Sequence, residues 1–329
     1  FKNLNKKTNI EKIFYLISNF SETSEIRYVG GSIRKIINRE TVDDIDLATN
    51  IKPLEVCEIL KKNNISFYES GIEHGTVTAK IDDYKFEITT LRKDISTDGR
   101  HAEVEFSKDW LEDASRRDFT FNAIYADLHG NLYDPFNGRE DLKLGSVKFI
   151  GDPKKRIQED YLRILRYVRF FLNYSKVDHD TNLKKIIKQN INGISKISSD
   201  RLLDELKKLL LSRDFLKIAK DEFCQEIVRL IFPQLINLNI FKNINYYSKD
   251  IIEKKDFIFL VSLMIIDETD NSEYFIYKYN ISNDDKKRIR FLSNIFSNNL
   301  DKNNFNEKAL WKILYYNGKE HLNDVINFK

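Results

Sequence analysis

Asp44 and Asp46 stand two residues apart, with Ile45 and Leu47 alternating around them. On a strand, residues two apart project to the same side. Two carboxylates so placed repel, and a cation between them removes the cost. Mg²⁺ is the natural hard-oxygen choice, with substrate phosphates completing its octahedron. A pair of such ions activates an attacking hydroxyl and stabilises a leaving pyrophosphate. Upstream, Gly30-Gly31 follows the apolar run Ile26 to Val29 and precedes Ser32-Ile33-Arg34-Lys35-Ile36-Ile37. That order reads as strand, tight turn and helix, with Ser32 as the N-cap. Paired glycines let backbone N–H groups approach a phosphate, and the helix N-terminus adds favourable potential. Arg34, one turn in, reaches the same phosphates. An Asp-x-Asp alone is more often the wet face of an edge strand. With Gly-Gly before it, phosphate chemistry is the better reading.

Three further groups bear on that chemistry. Glu87, between Phe86 and Ile88, takes the face of its strand opposite the apolar side chains. It reads equally as a third metal ligand or as a solvated strand residue. Arg116-Arg117-Asp118-Phe119-Thr120-Phe121-Asn122-Ala123 combines two phosphate-gripping guanidiniums with a carboxylate and an amide suited to a ribose hydroxyl. A salt-bridged turn leading into a strand is the competing reading. Asp160, Arg163, Arg166 and Arg169 recur every third residue, a drifting polar stripe on a helix whose other side carries Leu162, Leu165 and Val168. Such an array reads base edges by hydrogen bonds, or forms ion pairs on a solvated face.

The elements that must position these groups change character along the chain. To about residue 137, short strand-like and helix-like runs alternate. Pro53 suits the first turn of a helix ending near Lys62. Thr76 to Ile81 and Tyr84 to Thr89 flank Asp82-Asp83 as a hairpin. A strand is expected over Ala123 to Asp127. Residues 92 to 102 are polar and aperiodic, and are expected to form a mobile loop. Beyond residue 138 helical periodicity dominates. In SSDRLLDELKKLLLS, Leu202, Leu203, Leu206, Leu209 and Leu210 mark one apolar face with Ser199 as a cap. The fold class is therefore α+β: a small mixed α/β head with a β-sheet, then an all-α remainder.

Composition sets outer bounds. The 329 residues suggest about two domains. Charged residues make up 32% of the chain yet leave a net charge of only +3, so basicity alone does not announce a nucleic acid. Residues 151 to 215 are locally more basic, with 15 Lys plus Arg against nine Asp plus Glu. An RNA-facing surface or a solvated positive face would look like this. Cys57 and Cys224 have no partner at metal-ligand spacing, so the expected compartment is reducing and cytoplasmic. No run approaches the length of a membrane span, and the N-terminal stretch lacks a secretory apolar region.

GGSIR with DDIDLAT, then RRDFTFNA, DPFNGREDL and GDPKKRIQEDYLRILRYVRF, follow one another as in class II tRNA nucleotidyltransferases and bacterial poly(A) polymerases. The resemblance covers residues 28 to 172 and continues weakly through SSDRLLDELKKLL. It implies a nucleotidyltransferase head over 1–137, a helical neck over 138–205 and an RNA-binding body and tail over 206–329. It implies an enzyme that adds CCA to the 3′ end of tRNA from CTP and ATP, releasing pyrophosphate, with Mg²⁺ on Asp44 and Asp46. Gly30, Gly31 and Arg34 would contact the triphosphate. Arg116, Arg117, Asp118 and Asn122 would take ribose and phosphate. Asp160 and Arg163 would select the base, supported by Arg166 and Arg169. TLRKDISTDGRH and DWLEDASRRDFT are similar to the alphaproteobacterial type in particular, with Asp98 and Arg100 in its flexible loop. Poly(A) polymerases, partial CC- or A-adding enzymes and a noncatalytic RNA-binding remnant share the same core. Lys35 departs from the family, which usually has Asp there, and Asn38 replaces a common turn glycine.

Overall fold

A computed structural model describes residues 1–42, 45–97, 102–297 and 306–328. Asp44, Asp98 and Arg100 lie outside them. The chain forms two compact units. The first comprises Phe1–Asp160 with Tyr174–His179, and the second Tyr161–Asn173 with Asp180–Lys329.

In chain order the first unit carries helices α1 (Lys2–Thr8) and α2 (Glu11–Ser18), strand β1 (Ile26–Val29), helix α3 (Gly31–Ile37), strand β2 (Ile45–Thr49) and helix α4 (Pro53–Lys62). Strands β3 (Ser66–Gly71), β4 (Thr76–Ile81), β5 (Tyr84–Thr90), β6 (Arg92–Thr97) and β7 (Ala102–Phe106) follow. Helix α5 (Trp110–Ser115), strands β8 (Tyr125–Ala126) and β9 (Leu132–Tyr133), and helices α6 (Gly138–Leu144) and α7 (Pro153–Glu159) complete it. Seven strands form one mixed sheet in the order β3-β4-β5-β2-β1-β8-β9. β4 and β5 are the expected hairpin, turning at Asp82 in a left-handed backbone conformation. β2 runs parallel to β5 and antiparallel to β1. Val29, Ala48, Leu91, Trp110, Ala114, Ala123, Tyr125 and Ile150 make one core cluster.

Four local expectations are revised. Ser32 is not the cap of α3. Gly30 holds that position at φ 66°, ψ −123°, and the Ser32 hydroxyl donates back to the Val29 carbonyl at 3.0 Å. Residues 92 to 102 are not simply a loop, because β6 and β7 pair antiparallel in a sheet of their own. Backbone groups alone make the ladder bonds of such a ribbon, so a polar run without apolar alternation can still pair. Cross-strand attraction supplies part of the pairing, as in Lys93–Glu105 at 2.8 Å. The strand expected over Ala123 to Asp127 shrinks to β8, because Thr120–Asn122 already form a 3₁₀ turn. Gly138 explains this tightness: a Cβ there would lie 2.2 Å from the Thr120 carbonyl oxygen. In the second unit, Ser199 is the first residue of its helix, and Ser198 precedes it as N-cap without a side-chain bond.

The second unit is helical throughout its described residues: α8 (Leu162–Tyr174, its last residue in the first unit), α9 (Thr181–Asn190), α10 (Ser199–Leu210), α11 (Glu222–Ile231), α12 (Tyr246–Glu253), α13 (Phe257–Ile265), α14 (Asn271–Lys278), α15 (Asn283–Ser297) and α16 (Glu307–Phe328). All nine residues of α13 are buried, as a helix apolar on every side requires, and its one polar side chain, Ser262, donates to the Ile258 carbonyl at 2.7 Å. Around it α10 buries Leu202, Leu206, Leu209 and Leu210. The α+β expectation holds.

Candidate active site

The parallel pairing of β2 and β5 puts Asp46 directly opposite Glu87. Ile45 pairs with Phe86 and Leu47 with Ile88, all four buried on the other face. Asp46 and Glu87 therefore share the open face, Asp46 half-buried and Glu87 exposed. The expected Asp44–Asp46 pair falls outside the described residues, and the register sets Asp46 beside Glu87 instead. Two hard anionic donors on neighbouring strands suit a divalent cation with oxygen ligands.

The Gly30–Gly31 turn lies against the Asp46 carboxylate. A Cβ at Gly31 would sit 3.7 Å from Asp46 Oδ2 and 3.7 Å from Arg34 Nη2. A Cβ at Gly30 would sit 3.6 Å from Arg117 Nη1. One carboxylate and two guanidiniums thus meet over two residues with no side chain. A phosphate can approach backbone N–H groups there while cations face it.

The two glycines have different tasks, which substitution separates. Gly30 has a φ of 66° and ψ of −123°, and Gly30→Ala is expected to cost about 1–3 kcal/mol through backbone strain. Gly31 is helical and meets nothing closer than ordinary contact. Gly31→Ala is expected to melt like the native protein but to bind nucleoside triphosphate roughly tenfold more weakly, since misplacement by about 1 Å can cost up to ~10²-fold. Thermal melts beside nucleotide titrations check both. Equal losses of stability in the two variants would remove the distinction.

Arg116 and Arg117 are held by a residue that sequence reading missed. Asp113 is buried at 1% exposure. Its Oδ1 accepts from Arg116 Nε at 2.8 Å, and its Oδ2 from Arg117 Nη2 at 3.0 Å and the Tyr125 hydroxyl at 2.7 Å. Burial pushes the Asp113 carboxyl up, but the Arg117 and Arg116 charges and the Tyr125 bond outweigh it and hold the group well below the usual carboxylate range. The signal was in the spacing: Asp113 stands three and four residues before the two arginines, as neighbours on a helix do. Arg156 ties the same segment down by donating to the carbonyls of Arg116 and Arg117.

Asp118 and Asn122 are both buried. Asn122 Nδ2 donates to Asp118 Oδ1 at 2.8 Å, and Asn122 Oδ1 accepts from Arg34 Nη1. The Arg-Arg-Asp motif is thereby joined to the glycine turn.

In the second unit, Arg163, Arg166 and Arg169 lie half-buried on α8. Asp160 precedes that helix in extended backbone at φ −152°, ψ 102°, so the stripe begins one turn later than its spacing suggested. Arg169 Nε donates to Glu205 Oε1 at 2.5 Å, and Arg166 Nη1 lies 3.8 Å from Glu205 Oε2. Glu205 is 2% exposed. A buried carboxylate is stable there because guanidiniums neutralise it. Its sequence signal was an acidic residue beside the leucine face of α10.

This turn, sheet and arginine set defines a nucleotidyltransferase head of the poly(A) polymerase type. Residues 26–148 match the family model described as Poly A polymerase head domain, and residues 179–243 the one described as Probable RNA and SrmB- binding site of polymerase A. The chain is 31% identical over 314 residues to the CCA-adding enzyme of Staphylococcus haemolyticus, covering 92% of this chain and 72% of that one. The chain belongs to the CCA-adding enzyme family. It is also 46% identical over 196 residues to human CCA tRNA nucleotidyltransferase 1, mitochondrial, covering 58% of this chain and 44% of that one. It spans less than half the length of the human, mouse and zebrafish relatives it matches. The solved Bacillus stearothermophilus CCA-adding enzyme in complex with CTP has a TM-score of 0.72 at 22% identity, covering 97% of this chain and 77% of that one. Family membership implies divalent-metal chemistry, which the Asp46–Glu87 donor set fits.

Proposed function

We propose that this chain is a CCA-adding enzyme, transferring nucleotides from CTP and ATP to the 3′ end of tRNA. The observation that carries the chemistry is Asp46 against the Gly30–Gly31 turn, with Arg34 and Arg117 converging there and Glu87 beside it in the sheet register. Family membership carries the substrate. Asp44 and Asp46, with Glu87, would hold Mg²⁺. When bound, the metal neutralises charge on the triphosphate and lowers the pKa of the attacking hydroxyl. Gly30 and Gly31 present backbone N–H groups to the phosphates, while Arg34, Arg116 and Arg117 counter their charge. Asp118 and Asn122 serve the ribose side as well as holding Arg34. The tRNA hydroxyl attacks the α-phosphorus, and pyrophosphate leaves.

Base choice is assigned to Asp160 and Arg163, with Arg166 and Arg169 set by Glu205, and Asp98 and Arg100 to the loop that switches from C to A. The functional division proposed is head 1–137, neck 138–205, and RNA-binding body and tail 206–329; the RNA-binding match over 179–243 spans the neck–body boundary. Among the described residues no helix is long and apolar enough to cross a membrane. Burial raises both the Cys57 and Cys224 thiols, as in unreactive structural cysteines. A cytoplasmic setting is part of the same proposal.

The test is product sequencing after incubation with Mg²⁺, CTP, ATP and a tRNA lacking its last three nucleotides. A discrete CCA end is expected. A long adenosine tail would make the chain a poly(A) polymerase, the name both family models carry. A CC or single-A product would make it a partial adder. No extension by folded protein would leave an RNA-binding remnant.

A further inference from the structure

Arg34 is buried at 8% exposure, yet its Nη2 faces the space over Gly31. A long cationic side chain loses rotamer freedom when ordered, so its direction has to be enforced by neighbours. Asn122 Oδ1 accepts from Nη1, and Asn122 is itself held by Asp118. Two rings also face the guanidinium: its carbon lies 5.3 Å from the Tyr174 ring centroid and 5.8 Å from that of Phe121. The two rings are 5.9 Å apart and inclined at 52°, so they support each other. The Tyr174 hydroxyl donates to Glu40 Oε2 at 3.4 Å, just past the end of α3. Tyr174 thus contacts both Arg34 and the segment that follows its helix. It belongs to none of the motifs that carry the chemistry.

We propose that Tyr174 is a positioning residue for Arg34, and through it sets where the triphosphate of the incoming nucleotide lies. This rests on the nucleotidyltransferase reading given above. The ring does the positioning, through its attraction for the guanidinium, and the hydroxyl orients the ring. Because the triphosphate is common to CTP and ATP, the effect is independent of the base.

The test compares Tyr174→Leu, which keeps bulk but removes the π-face, with Tyr174→Phe, which restores the ring. KM is measured for CTP and for ATP on shortened tRNA, and inorganic tripolyphosphate affinity is measured directly. Tyr174→Leu is expected to weaken all three by the same factor, roughly tenfold, the scale of one desolvated cation–π contact. Tyr174→Phe is expected to recover most of the loss. Unequal changes for CTP and ATP would assign the ring to base recognition and overturn the proposal. So would unchanged tripolyphosphate affinity, or a loss confined to kcat and melting temperature. If native protein extends no tRNA, the functional reading falls, while tripolyphosphate affinity still decides this one.

Discussion

Asp46→Asn is expected to reduce nucleotide addition by about 10³-fold or more while the protein stays folded. A single preorganised electrostatic group contributes roughly 10²–10³-fold to a reaction of this kind, and Asp46 would also contribute to metal affinity. The substitution keeps the shape of the side chain and removes its charge. It also removes a like charge from beside Glu87, its neighbour across β2 and β5. It equally removes the carboxylate that faces Arg34 and Arg117 over the glycine turn, so the two changes oppose each other and the metal-free variant should melt close to the native temperature. Added Mg²⁺ should raise the melting temperature of the native protein more than that of Asp46→Asn, because a ligand that binds only the folded state stabilises it. Single-turnover extension of shortened tRNA, beside melts with and without Mg²⁺, measures both effects. A well-folded Asp46→Asn that adds nucleotides within tenfold of the native rate would sink the metal-ligand assignment.

Asp113→Ala is expected to have the largest effect on stability. It leaves the Arg116 and Arg117 guanidiniums without their shared carboxylate and removes the acceptor of the buried Tyr125 hydroxyl. Breaking a buried ion pair from one side costs about 3–5 kcal/mol. At roughly 2–4 °C per kcal/mol for 150–250 residues, the melting temperature should fall by on the order of 10 °C. The same group predicts an acid limb. The folded-state pKa of Asp113 is depressed, so its contribution is complete above the unfolded carboxyl value of about 3.9. It is lost as pH falls below that value toward the folded one. Melts from pH 7 to pH 3 should show the native advantage over Asp113→Ala holding down to about pH 4 and narrowing below it. An advantage that is small at pH 7, or that narrows between pH 7 and pH 5, would contradict the network.

Much of the head was legible because its signals are local. The Gly-Gly turn, the alternation around Asp46, Pro53 opening α4 and the Asp82-Asp83 hairpin each follow from preferences of a few neighbouring residues. Asp113 was legible in principle, because its partners are three and four residues away. The β6–β7 ribbon was not, because the ladder is made by backbone groups and its polar sequence carries no apolar period to read. Glu205 was hidden for a different reason: it is an acidic residue beside a leucine stripe, and only its arginine neighbours on α8 explain its burial.

The sequence by itself determined the α+β order, the strand and helix that carry the carboxylates and the glycines, and which residue types could bind phosphate. Periodicity and backbone preference act over one or two turns, and that is their range. Tertiary structure alone decided which strands became neighbours. The parallel register of β2 and β5 set Asp46 beside Glu87, and burial of Ile45, Leu47, Phe86 and Ile88 on the opposite face fixes that register, since a one-residue slip would turn them outward. It also decided that Asn122 and Tyr174, distant along the chain, would close around Arg34. Contacts of that kind arise from packing, and no local pattern encodes which distant side chain arrives.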